Sequence, residues 1–383
     1  MSLRNNIATL VVASALAAPW GGSAQQTPSR AGEPRSSVKV AFPADSPLTV
    51  VSADWGESRT SARGGALVLD LQTSLLLRNA GQRHVRGVIL LVQAQEVTPG
   101  GKASVAAPSL DVKPGETFPI KVDLRLLLPL QAVGAAPVEV ALDGVLFDDL
   151  TFYGPNRLDS RRLMTAWELE ARRDRQHMKG LLAAGGAPAL QRALLDSLAR
   201  QAQRPVMGVQ LARGGRATNL PGEREVQFSF LRFPDAPVEP LAGSARLALN
   251  EARAPQLDVR NRSGRAIRYL EIGWLLKDRF GREFLAGSVP AKVELAPGAS
   301  SRILQESSLR FPDRPGQPLV IESMTGFVSH VEFADGAVWI PPRAALADPR
   351  LLGALAPSPE EQRLTELYRR KGLQTVVDEL KKF

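Results

Sequence analysis

Part of this chain is written twice, and that limits what it can fold into. Arg78-Asn79 is followed by Arg83, Val85-Arg86 and Val88; Arg260-Asn261 is followed by Arg265, Ile267-Arg268 and Leu270, without a gap, at an offset of 182. Lys113-Pro114-Gly115 corresponds to Ala296-Pro297-Gly298, and Phe147, Asp149, Pro155 and Arg157 correspond to Phe333, Asp335, Pro341 and Arg343. A repeat this long implies two copies of one domain, not a solenoid of short units. In 383 residues, two domains plus connecting helices is the natural count.

The repeated segments are β in character. Leu67, Leu69, Leu71, Thr73, Leu75 and Leu77 alternate with Asp70, Gln72, Ser74 and Arg78, which puts the leucines on one sheet face. Val88, Leu90, Val92 and Ala94 continue the pattern, as do Phe118, Ile120, Val122 and Leu124. In the second copy Leu270, Ile272, Trp274 and Leu276 line one face, and Asp278-Arg279-Phe280-Gly281 makes a hairpin turn. Short alternating strands over roughly 100 residues imply an antiparallel sandwich. Neither copy alternates strand with helix, which argues against a parallel α/β sheet.

Between the copies the period changes. Asp159-Ser160 offers an N-cap, and helix formers run to about His177. Gly185-Gly186 breaks the helix, and Ala189 to Gln203 makes a second, with Leu190, Leu194, Leu195 and Leu198 on a stripe. Residues 205–235, with Gly214-Gly215 and Pro221-Gly222, suggest a β-hairpin or an added edge strand. The C-terminal tail is helical: Ser358-Pro359-Glu360-Glu361 is a capping-box start, Gly372 interrupts, and Lys381-Lys382 suits the negative end of the dipole.

The N-terminus has the pattern of an export signal. Arg4 supplies the positive region, Ile7 to Ala18 the short apolar stretch, and Gly22-Ser23-Ala24 the small residues for cleavage. A Pro-rich polar leader follows. The expected location is therefore periplasmic or secreted, with cleavage near Ala24. No later run has the length of a transmembrane helix. The expected organisation is signal peptide 1–24, disordered leader 25–39, sandwich one 40–157, helical hairpin 158–204, extra β segment 205–235, sandwich two 236–343 and helical tail 344–383. The fold class is mainly β: two antiparallel Ig-like sandwiches joined by a helical hairpin, with a C-terminal helix.

From Leu257-Asp258-Val259-Arg260-Asn261 through the Pro297-Gly298 turn, the second copy resembles the FxLYD-type Ig-like domains of bacterial envelope proteins. The shared features are an Asn-containing strand end, a polar loop, an Ile/Val-patterned strand ending at Asp278 and Gly281, and a Leu-x-Pro-Gly turn at Leu295. The first copy keeps Arg78-Asn79 and Pro114-Gly115, but shows Glu96-Val97-Thr98-Pro99-Gly100 where the hairpin should be. The resemblance covers about 60 residues of each copy and implies a sandwich in an extracytoplasmic setting. Such domains share no catalytic residues, so it implies no activity.

The search for chemistry nominates little. The three histidines, His84, His177 and His330, have no metal-ligand spacing, and the chain has no cysteine. No nucleophile elbow, P-loop or dinucleotide fingerprint is present. Ser36-x-x-Lys39 falls in the leader, and Asp148-Asp149 is expected as a solvated turn. These readings predict a non-enzymatic protein with no catalytic, cofactor or metal residue and no cofactor. The formal charge of +9 favours acidic partners, and an exported chain has little access to nucleic acid. The densest local feature is the Arg-rich helix, where Arg161, Arg162, Arg172 and Arg173 are candidates for partner binding, set against an exposed helix face laced with Glu–Arg pairs. The expected partner is another envelope protein or an anionic envelope component. Three functions remain open: a scaffold or protein–protein interaction protein of the envelope, an enzyme or accessory module acting on cell-wall or polysaccharide substrates, and anionic lipid binding through the Arg-rich helix.

Overall fold

The structure, a computed structural model, describes residues 38–54, 56–63, 66–93, 102–129, 138–203, 210–213, 222–304, 307–311, 319–355 and 357–383. The predicted signal and the leader up to residue 37, the 96–100 stretch, and the turns at Gly214-Gly215 and Pro221 lie outside the described residues. The chain divides into two compact units, Met1–Glu168 and Leu169–Phe383.

The first unit holds β1 (Val38–Ala41), β2 (Leu48–Asp54), β3 (Arg59–Arg63), β4 (Ala66–Asn79), β5 (Val85–Gln93), β6 (Lys102–Ala107), β7 (Thr117–Pro129), β8 (Val138–Phe147) and β9 (Phe152–Tyr153). One sheet has the order β1-β8-β5-β6, with β9 on β8; the other has β2-β4-β3, with β7 also on β4. The leucine alternation explains how they face each other. Leu69, Leu71, Leu75 and Leu77 of β4 are buried with Val88, Leu90 and Val92 of β5, Ile120 and Val122 of β7, and Val140 and Leu142 of β8. Each such side chain contributes about 1.5–3 kcal/mol on burial. Thr73 sits in the same row, and its hydroxyl donates to the Asp54 carbonyl (2.6 Å).

In the second unit lie β10 (Gln210–Arg213), β11 (Arg224–Gln227), β12 (Ser229–Leu231), β13 (Val238–Ala248), β14 (Glu251–Asn261), β15 (Ile267–Asp278), β16 (Glu283–Leu295), β17 (Ser300–Leu304), β18 (Ser307–Arg310), β19 (Ile321–Phe333) and β20 (Val338–Trp339). One sheet is β12-β19-β15-β16, with β20 on β19; the other is β10-β18-β14-β13-β11, with β17 on β14. They close over Leu270, Ile272, Trp274, Val259, Leu309 and Val331.

The sheet β12-β19-β15-β16 matches β1-β8-β5-β6 strand for strand, and the β15–β19 ladder follows the register of β5–β8. Ile89 pairs with Gly144 where Glu271 pairs with His330, and both ladders break on either side of this stretch; the second adds a break at Lys277/Asp278, and β15–β16 breaks between Gly273 and Leu275 where β5–β6 runs on. The sheets are not purely antiparallel as expected: β1 runs parallel to β8, and β12 parallel to β19. Residues 205–235 form no hairpin of their own among the described residues. β10 and β11 lie at opposite edges of one sheet, and β12 takes the place that β1 has in the first unit. A short sequence of mixed period cannot announce which distant strand will pair with it.

The repeated sequence positions are fold corners. Asn79 is fully buried, and its Nδ2 donates to the carbonyls of Arg83 (2.8 Å) and Val112 (3.1 Å). Asn261 does the same toward Arg265 (2.8 Å), Leu295 (3.1 Å) and Ala296 (3.1 Å). The Arg83 guanidinium lies 4.0 Å from the Phe147 ring centre and pairs with Asp149; Arg265 lies 4.0 Å from the Phe333 ring and pairs with Asp335.

The helices are α1 (Ser160–Gln203), α2 (Pro349–Ala354), α3 (Pro359–Lys371) and α4 (Leu373–Leu380). α1 starts in the first unit and continues in the second. It is two helical arms turned at Gly186 (φ 64°, ψ −164°), a left-handed conformation that glycine adopts at little cost. Its first turn is held from far away. The buried Asp143 carboxylate accepts from the Arg157 amide (2.8 Å) and the Ser160 hydroxyl, and Asn156 Oδ1 accepts from the Arg161 amide (2.8 Å). Of the expected Asp159-Ser160 cap pair, Asp159 takes φ 55° and Ser160 begins the helix. Within the second unit, Met178, Leu190 and Leu194 of α1 pack on Leu364, Val376 and Leu380 of α3 and α4, while Leu195 is left exposed. Among the described helices none is long and apolar enough to cross a membrane.

Candidate functional site

The matched sheets differ on the face turned away from their cores. In the first unit that face carries Gly87, Ile89, Gly144 and Leu146, and the start of α1 covers it: Met164, Leu163 and Trp167 gather with Phe152 over Ile89 and Leu146. The glycines make room. A Cβ on Gly87 would lie 2.9 Å from Met164 Cε, and one on Gly144 would run into the Phe152 ring.

In the second unit the equivalent positions are Tyr269, Glu271, His330 and Glu332, set by the shared register. In the first unit the Phe152 ring lies against Gly144; in the second Val338 takes the position of Phe152, paired with Glu332 as Phe152 is with Leu146. Glu271 is the hub. One carboxylate oxygen accepts from Tyr269 Oη (2.8 Å), the other from Ser288 Oγ, and His330 Nδ1 stands 3.7 Å away. The Tyr269 and His330 rings meet edge to face with centroids 5.4 Å apart. Burial alone would raise the Glu271 carboxyl, but the adjacent His330 imidazole and the hydrogen bonds from Ser288 and Tyr269 outweigh it and hold the group at about 2. His330 is 7% exposed, and its Nε2 has no hydrogen-bond partner among the described residues. The Ser329 hydroxyl donates to the Glu271 carbonyl (3.1 Å) from the bulge that Asp143 occupies in the first unit.

The second-unit part of α1 brings Glu170 into the field of this cluster. Burial pushes its carboxyl up to about 7; Arg173 opposes the rise, and Asp174 and Glu271 reinforce it. Beside it, Leu169, Arg173, Gln176 and His177 face residues Val338 to Arg343 across a groove of about 550 Å³. Burial, followed by the nearby Arg343 charge, lowers the His177 imidazole. One carboxylate held ionised and a second titrating near neutrality is the divergence that acid–base pairs need. No described group of three or more His, Cys, Asp or Glu residues can hold a metal ion.

Of the predicted partner-binding residues, Arg161 and Arg162 belong to the first unit, and Arg172 and Arg173 to the second. Arg162 lies 3.6 Å from Asp159. Arg173 is committed internally: it pairs with Asp174 (3.0 Å) and donates to the Pro341 carbonyl (3.0 Å). None of the four is a free cation. Asp174 and Glu361 are both buried, and Arg343 bridges them at 3.3 and 3.2 Å; Ser197 Oγ (2.6 Å) and Arg200 (3.3 Å) complete the network on Glu361. Ser358 caps α3 as expected, accepting from the Glu361 amide (3.1 Å), but the Glu361 side chain is drawn into this network and does not reach back to the cap. Sequence reasoning passed over Glu170 and Glu271 and weighed His330 only as a metal ligand. The one available signal was the exchange of Ile89 for Glu271 between the two copies.

No family model matches the chain, and no curated protein matches it. Among solved structures, a beta-glucosidase from Kluyveromyces marxianus is 10% identical, with 69% of this chain and 45% of that chain covered, at a TM-score of 0.15. The same enzyme in complex with glucose gives 9% identity, 77% and 48% coverage, and 0.15. A protein designated pT26-6p gives 7%, 87% and 72%, and 0.16. The chain spans less than half of the glucosidase chains. Likenesses this slight carry no argument about fold or chemistry.

Proposed function

We propose that this chain is an exported, non-enzymatic protein of the bacterial envelope that works as a scaffold or by protein–protein contact. The observation that carries the reading is the use of the repeated residues. Asn79, Arg83, Phe147 and Asp149, and their partners Asn261, Arg265, Phe333 and Asp335, are engaged in the same fold corner in each half. What the two copies share therefore specifies a sandwich, not a reaction centre. The buried Asp174–Arg343–Glu361 network gives the second unit a rigid helical layer suited to presenting surfaces. Affinity capture from envelope extract with the tagged full chain tests the reading. A reproducible specific partner, with mature protein starting after Ala24 in the periplasmic fraction, supports it. Capture of nothing specific across several extraction conditions, or retention in the cytosol, refutes it.

One observation favours a second reading, an acidic site acting on cell-wall or polysaccharide substrates: the opposed shifts of Glu170 and Glu271 beside the groove. Glycoside hydrolysis needs two carboxylates free to face the scissile bond. Glu271 is instead engaged by Tyr269 and Ser288, which makes this the weaker reading. Turnover of peptidoglycan or chromogenic glycosides that disappears in both Glu170→Gln and Glu271→Gln would reverse that order.

A further inference from the structure

One end of the second sandwich carries two neighbouring turns, one from each sheet. The β13–β14 turn contains Leu249-Asn250, and the β15–β16 turn contains Arg279-Phe280-Gly281. Both are fastened to the same backbone. The Ile321 amide donates to the Leu249 carbonyl (3.1 Å), and the Arg279 amide donates to the Val320 carbonyl (3.2 Å). Each turn presents one large apolar side chain to solvent: Leu249 is 70% exposed and Phe280 is 64% exposed.

Folding alone explains neither residue. Leu249 takes φ 52°, a left-handed conformation that favours Gly or Asn, and its side chain gains no burial in return. The Phe280 turn is rigid. The buried Asp278 carboxylate accepts from the Phe280 amide (2.9 Å) and the Arg282 amide (2.9 Å), and Gly281 supplies φ 77°. The Arg279 and Arg282 guanidinium carbons lie 4.8 and 5.3 Å from the Phe280 ring centre. Lys277 is exposed on the same hairpin, and Arg224 donates to the carbonyls of Ile321 (2.9 Å) and Glu322 (2.7 Å) at the same end. The acids beside these turns are mostly paired: Asp278 is buried and holds Arg282, Glu251 holds Arg310 and Glu283 holds Arg350, so that Lys277, Arg279 and Arg224 stand against Glu225 and Glu322.

We propose that this end of the second sandwich docks on an anionic lipid surface, with Leu249 and Phe280 entering the boundary between headgroups and acyl chains and the cations lying among the phosphates. The shape favours lipid over protein. Two side chains on separate convex turns offer far less apolar area than the roughly 800 Å² per partner of a stable protein interface. A bilayer needs only shallow apolar insertion together with positive charge near its surface. The inference adds a contact surface and a partner to the envelope reading and does not depend on it, because purified components suffice to test it.

The test is co-sedimentation of the full chain with vesicles of phosphatidylglycerol and phosphatidylcholine in equal parts, and with vesicles of phosphatidylcholine alone. Binding to the mixed vesicles and not to the neutral ones is expected, weakening as salt rises. The double variant Leu249→Ser/Phe280→Ser should lose about tenfold or more in partitioning while its melting temperature is kept, since both side chains are already in water. Lys277→Glu/Arg279→Glu should remove the preference for phosphatidylglycerol. Phe280→Trp provides an independent reading: its added emission should shift to the blue on the anionic vesicles. Absence of sedimentation with the mixed vesicles, equal partitioning of the double variant, or an unshifted Phe280→Trp emission overturns the proposal. So does a soluble acidic protein that binds the same turns while vesicles do not.

Discussion

At the scale of single residues, Asn79 and Asn261 show why a strand end was written twice. Each amide ties two or three carbonyls of separate loops to one buried point. Alanine there removes those donors together with the Oδ1 that accepts from the Gly81 or Ser263 amide, at about 1–3 kcal/mol in total. We expect Asn79→Ala and Asn261→Ala each to destabilise by about that amount in urea titrations, with little change in slope. The Glu170–Glu271 pair gives a pH prediction with two signs. The Glu170 value in the folded state lies above the ordinary 4.5, so its stabilising contribution is complete below that value and is lost as pH rises through about 7. Glu271 lies below 4.5, so its contribution is present above that value and is lost as pH falls toward about 2. Glu170→Gln should therefore gain on the parent by up to about 3 kcal/mol between acid and mildly alkaline conditions, and Glu271→Gln should flatten the acid limb. Denaturation midpoints across pH check both. The Asn corners were legible because sequence copies them. Glu271 and His330 were not, because a polar residue on the outer side of a strand has the same pattern whether water or a helix covers it.

At the scale of elements, the helical layer was half legible. The Gly185-Gly186 break, the Ser358 cap and the Gly372 interruption follow from local backbone preferences, and all three are present. α1 starts at the Asp159-Ser160 pair, as its residues imply, but its first-turn partners are Asn156 and the distant Asp143. Sequence near the helix cannot show a carboxylate delivered from a strand bulge. The same holds for Glu361, whose partners on α1 and at Arg343 are far away in the chain. Removing this buried carboxylate leaves Arg343 and Arg200 without it, and loss of one partner in a buried pair costs about 3–5 kcal/mol. Glu361→Ala should lower the midpoint of the second unit accordingly, and hydrogen exchange in residues 178–200 should quicken. Unchanged exchange there would refute the role assigned to the network.

For the whole molecule, the leucine and valine alternation was sufficient to place two separate interiors, since period-two burial needs only the chain itself. The parallel pairs β1–β8 and β12–β19 escaped it, because pairing partner is a property of the fold and not of the strand. Each unit has its own apolar cluster, so calorimetry should resolve two transitions, with Asn79→Ala lowering one and Asn261→Ala the other. A single transition that both variants move equally would contradict that division.

The Gly144–Phe152 contact fixes which half of this chain had freedom to change. A Cβ at position 144 would fall on the Phe152 ring, so the first half can accept no larger residue there unless that ring moves. The second half carries histidine at the equivalent place, with Val338 at the position of Phe152. Natural variants should therefore diversify around His330 and remain nearly invariant around Gly144. A relative with a bulky residue at 144 must have lost or displaced the Phe152 ring.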